Sequence, residues 1–331
     1  MTMRDECTYL VGIDIGGTKC AVSLGEYRES DACPVSLTDK IRFDTNNKAG
    51  HADVIRRILD AVRELLARRG LEPAQIAAAG ISCGGPLDSE AGLILSPPNL
   101  IGWDRVPIVE IVERETGIRT YLQNDANACA LAEWKFGAAR GAENAVFLTF
   151  GTGLGAGLIL GGRLYGGTNG NAGEIGHIRL SENGPVGYGK SGSFEGFCSG
   201  GGILQIAKTM VLERLQMGEP VPYYDGTDAS IDARQMELRA REGDALALAV
   251  YAKCGEYLGR GLSILVDTLN PQVIVIGSIF THCSDLIWPH AKAVMDRECL
   301  AAANSVCRVV PAELGGQIGD YAAVAVAASA I

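Results

Sequence analysis

Two stretches of the chain repeat one plan, and this repeat restricts the available folds more than any other feature. Residues 9–26, YLVGIDIGGTKCAVSLGE, pass from a β-rich apolar run through Gly-Gly-Thr into a second β-rich run. Residues 145–162, AVFLTFGTGLGAGLILGG, pass from an apolar run through Gly-Thr-Gly-Leu-Gly into another. Each reads as a hairpin whose turn exposes several backbone N–H groups, with glycine supplying dihedrals that other residues avoid. Such a duplication predicts two related halves facing each other across a cleft.

Strands and helices alternate around the two hairpins. In ADVIRRILDAVRELLARRG, Val54, Ile58, Val62 and Leu65 share one helical face and Gly70 is a stop signal. IAAAGISCGGP reads as a buried strand entering a turn, and DRVPIVEIVERETG as a helix. IRTYLQND reads as a strand ending in polar residues, ANACALAEWKFG as a helix stopped by Gly137, and VIVIGS as a strand ending in a tight turn. The final DYAAVAVAASAI is an alanine-rich helix. This alternation predicts an α/β fold. LSILVD resembles the apolar strand with terminal Asp that accompanies a P-loop. However, Leu258, Leu262, Leu265 and Leu269 recur at helical spacing, which predicts a packed helix.

That matters because GPVGYGKS, residues 184–191, fits the phosphate-loop pattern G-x-x-x-x-G-K-[ST] at every fixed position. The pattern has meaning only between a buried strand and a helix that starts at its Lys-Ser end. Upstream is the short, polar-ended HIRLSEN; downstream, GSFEGFCSGGG offers no clean helix start. The match is expected to be accidental.

The length of 331 residues suits two domains, and 47% hydrophobic with 21% charged residues is an ordinary globular mix. A net charge of −10, with no basic run, argues against a nucleic-acid partner. The acidic, glycine-interrupted start does not read as a secretory signal, and no apolar run is long enough for a membrane span. The ten cysteines are dispersed, with no C-x-C or C-x-x-C pair, and read as reduced, mostly buried thiols. The cytoplasm is the expected compartment.

Four acidic or imidazole groups stand out. Asp14 lies inside an apolar strand just before the first glycine turn, where a carboxylate is costly unless paired or near a cation. It is either a turn-forming Asp or a group that orients Mg²⁺ through water while the two turns grip a polyphosphate. Asp125 stands where a strand gives way to a helix. It is either an N-cap or a general base accepting a hydroxyl proton during phosphoryl transfer, with Asn124 beside it as a hydroxyl-binding group. Glu174 and His177, between glycines, form a polar pair suited to hydroxyls.

Together GIDIGGTK, NDANACALAE, FGTGLGAGLILGGRLYGG, GEIGH and GSFEG resemble, in order and spacing, the ROK family of bacterial sugar kinases and related repressors. The resemblance covers essentially the whole chain. It implies a two-lobed, actin-like ATPase fold of ribonuclease H-like halves with a central cleft. The N-terminal lobe would span residues 1–122, with the helix 318–331 returning to it, and the C-terminal lobe residues 123–317. Asp14, Gly16, Gly17, Thr18 and Lys19 match the first phosphate-binding hairpin, and Gly151, Thr152 and Gly153 the second. Gly277 and Ser278 match adenosine contacts. Asp125 matches the catalytic base; Gly84, Gly85, Asn124, Glu174, His177 and Glu195 match sugar-binding positions.

One departure concerns zinc. The family usually carries C-x-C-G-x-x-G-C-x-E after GEIGH, with three cysteines and the histidine on one zinc. Here Val186, Tyr188 and Ser193 stand at the cysteine positions, leaving only His177. No structural zinc is expected, and local packing would have to orient His177 instead. The resemblance implies ATP with Mg²⁺ near Asp14, a hexose or hexose derivative phosphorylated at a primary hydroxyl, and no nucleic acid or membrane partner. It also allows a homodimer. The alternative is a non-catalytic sugar binder or a sugar-responsive regulator, although only about eight residues precede LVGIDIGG, too few for a helix-turn-helix.

Overall fold

The computed structural model describes residues 7–28, 34–227 and 230–331. The chain divides into two compact units. Met1–Glu143, Gly157–Ala172 and Glu313–Ile331 make the first; Asn144–Ala156 and Gly173–Ala312 make the second.

In the first unit, β1 (Thr8–Ile15) and β2 (Lys19–Tyr27) form the expected antiparallel hairpin, with Ile15 opposite Cys20. β3 (Val35–Asp44) extends it on the β2 side. β4 (Ile76–Cys83) runs parallel to β1. After the two-residue strands β5 (Leu87–Asp88) and β6 (Leu93–Ile94), β7 (Thr120–Asn124) runs parallel to β4. The sheet order is therefore β3-β2-β1-β4-β7.

Helix α1 (His51–Arg69) lays its periodic face on this sheet: Val54, Ile58, Val62 and Leu65 are all buried. Gly70, at φ +63°, ends it in the left-handed conformation and donates to the last free carbonyls. Helix α2 (Ile108–Thr116) starts four residues later than expected, because Pro107 occupies its N-cap and Asp104 accepts from Ser96 Oγ instead. Helix α3 (Asp125–Phe136) follows β7 without a break.

The C-terminal helix, Ile318–Ala328, completes this unit. Its alanines let its backbone lie almost on the strands. A Cβ on Gly80 would meet Ala323 O at 2.1 Å, and one on Gly12 would meet Val324 Cγ2 at 2.8 Å. The segment before this helix is tied to α3 by Glu133, whose buried carboxyl accepts from the N–H groups of Ala138, Glu313 and Leu314. The compact units thus differ from the expected lobes. A boundary at 122/123 would cut β7, which is bonded to β4 and runs directly into α3, so residues 123–143 stay with the first unit.

In the second unit, β8 (Ala145–Phe150) leads through the second glycine turn into β9 (Leu154–Ile159), whose residues from Gly157 onward are counted with the first unit. A short hairpin of β10 (Val186–Gly187) and β11 (Lys190–Ser191) precedes α4 (Phe194–Phe197) and α5 (Gly200–Gln216). Next come α6 (Ala233–Arg241) and α7 (Ala245–Leu269), which contains the LSILVD segment as helix. β12 (Val273–Ile276), α8 (Ile279–Glu298), α9 (Ala301–Asn304) and β13 (Arg308–Pro311) follow. β8, β12 and β13 are parallel, and the sheet order is β13-β12-β8-β9. A hairpin followed by two parallel strands is the same plan as β2-β1-β4-β7, which is the duplication anticipated from the sequence. Among the described residues, no helix is long and apolar enough to cross a membrane.

Candidate active site

The first glycine turn is held by close approach, not by unusual dihedrals. Gly16 and Gly17 do not adopt positive φ; a Cβ on Gly16 would sit 2.7 Å from Lys19 O, and one on Gly17 would sit 2.7 Å from both Asn99 Cβ and Asn99 O. The sequence expectation about dihedrals is therefore wrong, and lack of space is the physical reason for glycine here. Asn47 Nδ2 donates to Gly17 O at 3.0 Å and to Asn99 O at 3.2 Å, Thr45 Oγ1 donates to Gly16 O at 2.6 Å, and Thr45 N donates to Thr18 O at 2.8 Å. Thr18 and Lys19 are exposed, and Lys19 pairs in register with Asp44.

Asp14 packs beside the start of the C-terminal helix, where a Cβ on Gly319 would lie 3.0 Å from its Oδ2. Burial first, then the negative charges of Asp320 and Asp125, push its carboxyl up to about 6, against the opposing pull of Lys40 and Arg42. Asp320 is itself buried, accepting from Ser23 Oγ at 3.3 Å and ion-paired with Lys40. Sequence reading passes over Asp320, although a charge inside an alanine-rich apolar run is the same signal that singles out Asp14.

At the end of β7 the capping role falls to Asn124. Its Oδ1 accepts from Asn127 N at 2.7 Å, with extended dihedrals, while Asp125 is the first helical residue. Asp125 Oδ1 accepts from Ala126 N at 2.8 Å. The residue is open to solvent yet densely surrounded by protein; lost hydration raises its carboxyl above the usual range, and backbone N–H groups oppose this. Gly84 and Gly85 follow β4, and a Cβ on either would meet open space.

In the second unit the turn Gly151–Thr152–Gly153 is braced differently. Gly200 N, at the start of α5, donates to Gly151 O at 2.8 Å. Glu195 Oε2 accepts from Leu154 N at 3.0 Å and lies 2.8 Å from where a Gly153 Cβ would be. Thr152 is exposed. Ser278, at φ +57° just after β12, has its Oγ 3.2 Å from a Cβ built on Gly151, while Gly277 N donates to Leu148 O. Gly173 and Gly176 let the segment 173–177 rest on β9: Cβ atoms there would meet Ala156 O at 2.1 Å and Leu154 O at 2.2 Å. This brings the segment carrying exposed Glu174 and His177 against Glu195, whose Cβ would lie 3.3 Å from a Cβ on Gly176.

GPVGYGKS is not a phosphate loop. Its Val-Gly and Lys-Ser pairs are β10 and β11, and Lys190 Nζ donates to His177 O at 2.7 Å. Among the described residues, no group of three or more His, Cys, Asp or Glu could hold a metal ion. Asp14, beside a glycine turn and outside any three-residue ligand cluster, fits a magnesium ion that arrives on a nucleotide and keeps its waters, rather than a cage of side chains.

Both sheets, each a hairpin extended by two parallel strands, define the actin-like ATPase fold. The chain belongs to the ROK family, whose model matches residues 10–329. It is 31% identical over 315 residues to a glucokinase of Streptomyces coelicolor, covering 93% of this chain and 94% of the relative. The ROK family glucokinase of Streptomyces griseus, solved in complex with glucose and AMPPNP, superposes with a TM-score of 0.70 at 28% identity, covering 98% of this chain and 99% of that one. The family also holds repressors: a xylose repressor of Caldicellulosiruptor bescii is 26% identical over 88% of this chain and 71% of its own length.

Proposed function

We propose that the protein transfers the γ-phosphoryl group of ATP to a primary hydroxyl of a hexose or hexose derivative, with Asp125 as general base. The observation that carries this reading is the division of labour at the end of β7. Asn124 caps the helix, so Asp125 bonds only the adjacent first-turn backbone, is open to solvent, and has a carboxyl raised above its ordinary value, toward the range where a base works best. Similarity to glucokinases over nearly the full length supports the same chemistry.

From the first unit would come Asp125, Asn124 for a sugar hydroxyl, the open turn at Gly84 and Gly85, and the phosphate-binding turn 16–19, in which Gly16 N already donates to Lys19 O. Asp14 would hold the magnesium ion of the nucleotide through water, and that ion would supply positive charge beside the phosphates. From the second unit would come the turn 151–153, in which Gly151 N already donates to Gly153 O, Gly277 and Ser278 for the adenosine, and Glu174, His177 and Glu195 for sugar hydroxyls. Within each turn, backbone donors of this kind are suited to developing phosphoryl charge.

Asp125→Asn keeps the shape and removes the base. Turnover in a coupled ATP-consumption assay across a hexose panel should fall by about 10²–10⁴-fold, while calorimetry finds sugar affinity largely kept. Near-normal turnover in the variant would refute the base assignment. Wild-type protein that binds a hexose without consuming ATP would favour the non-catalytic or regulatory reading that the repressor relatives represent.

A further inference from the structure

We propose that the hairpin Val186–Ser191 is a metal-free clasp that positions His177 and Glu195, with Tyr188 and Lys190 as its positioning residues. This rests on the reading that His177 and Glu195 bind the sugar.

The zinc usual in the family does not fit the residues present. Val186 has no donor atom. Ser193 Oγ is occupied, accepting from Gly196 N at 3.0 Å as the cap of α4 and lying 3.5 Å from Gly187 O. Tyr188 turns its ring to His177 instead. The two rings meet edge to face at 5.2 Å between centroids and 85° between planes. Lys190, opposite Gly187 in the ladder, donates to the carbonyl of His177 itself. No described residue bonds either imidazole nitrogen of His177, so the clasp fixes the ring while leaving both nitrogens for a ligand.

The hairpin is anchored well enough to do this. The tip is a two-residue turn with Tyr188 at φ +43° and Gly189 at φ +76°, the handedness that matches strand twist. Gln205 of α5 bonds both backbone groups of Val186, accepting from its N–H at 2.8 Å and donating to its carbonyl at 2.9 Å. Arg179 donates to Ser191 O at 2.7 Å, and Ser191 Oγ to Gly184 O at 3.0 Å. Gly187 lies so close to α4 that a Cβ there would be 2.5 Å from Gly196 N, one residue beyond Glu195. The hairpin therefore links the segment carrying His177 to the helix carrying Glu195. Tyr188 is 75% exposed at a φ that side chains avoid. Core packing does not explain a tyrosine there, whereas the contact with His177 does.

Because Tyr188 is so exposed, its variants should fold. Tyr188→Ala should raise the sugar KM by about tenfold or more through misplacement of His177, with kcat and the ATP KM little changed. Tyr188→Phe keeps the ring and should restore the sugar KM. The ring-proton resonances of His177 should move in Tyr188→Ala and not in Tyr188→Phe, a readout independent of turnover. If no hexose is phosphorylated, calorimetric sugar affinity replaces KM, so failure of the kinase reading is told apart from failure of the clasp. Elemental analysis of the purified protein should find no stoichiometric zinc. Stoichiometric zinc, or Tyr188→Ala with unchanged His177 resonances and unchanged sugar affinity, would overturn the proposal.

Discussion

The two glycine turns share a sheet plan but are stabilised by opposite means. Two residues before its turn, the first hairpin carries Asp14 and the second carries Thr149. Thr149 spends its hydroxyl within its own hairpin, accepting from Gly155 N at 2.9 Å. Among the described residues Asp14 makes no such bond; burial and the charges of Asp320 and Asp125 disfavour its ionised form. For its carboxylate the second turn borrows Glu195 from α4, which accepts from Leu154 N. One hairpin thus carries a carboxyl whose charged form is disfavoured by its surroundings, and the other is braced by hydrogen bonds to neutral groups and a borrowed acid. The lesson is that duplicated folds can divide duties between equivalent positions.

The sharpest way to break this comparison is Asp14→Asn. If Asp14 holds magnesium nucleotide, turnover should fall by about 10² or more, and wild-type turnover should decline as pH drops through about 6, where Asp14 takes up its proton. Stability should change in the other direction. The folded carboxyl titrates near 6 rather than the ordinary 3.8, so the folded state binds more protons between those values and loses stability as pH rises through that window. Asp14→Asn removes that loss. Thermal melts should find the variant more stable than wild type above pH 6, by on the order of 2–3 kcal/mol at most, with the difference vanishing below about pH 4. A variant that is less stable at neutral pH would mean that Asp14 is a structural turn residue.

Much of this site is legible in the sequence because it is local. The hairpins, the α1 stripe ended by Gly70, and the helix at LSILVD all follow from periodicity and stop signals a few residues apart. What is not legible depends on distant partners. The glycines at 16, 17 and 153 are needed for room beside Lys19, Asn99 and Glu195, and glycine alone reads equally as a dihedral requirement. Asn124 and Asp125 are both good caps by composition, and only the backbone path decides between them. Lys40 meets Asp320 across 280 residues, so no spacing rule could pair them. The phosphate-loop pattern at 184–191 fails for the converse reason. Its letters are local, but the pattern does not encode whether the backbone forms a loop or a hairpin.

Room, rather than conformation, predicts an asymmetry between the turns. In Gly17→Ala the new Cβ would press on Asn99 at 2.7 Å, including a carbonyl already bonded to Asn47, so backbone must move. About 1–3 kcal/mol of stability should be lost, and the ATP KM should rise. In Gly151→Ala the Cβ meets the Ser278 hydroxyl at 3.2 Å, which can rotate away, and the Ser278 Cβ at an ordinary 3.7 Å. That variant should lose under about 1 kcal/mol. Equal losses, measured by denaturant titration, would return the explanation to backbone dihedrals.

The smallest effect is expected at Thr149, the position equivalent to Asp14. Thr149→Val keeps the β-branched shape and the strand propensity but deletes the hydroxyl that accepts from Gly155 N. A single neutral hydrogen bond at a partly buried site contributes about 1 kcal/mol, so the melting temperature should drop modestly. Turnover should stay within about threefold of wild type, because no charge is lost and the Gly151–Gly153 donors keep their braces from Gly200 and Glu195. The contrast with Asp14→Asn is then one of sign as well as size: one variant trades activity for stability, and the other loses a little stability with activity kept. A Thr149→Val enzyme that lost turnover as severely as Asp14→Asn would make the two turns functional equals and remove the division of duties.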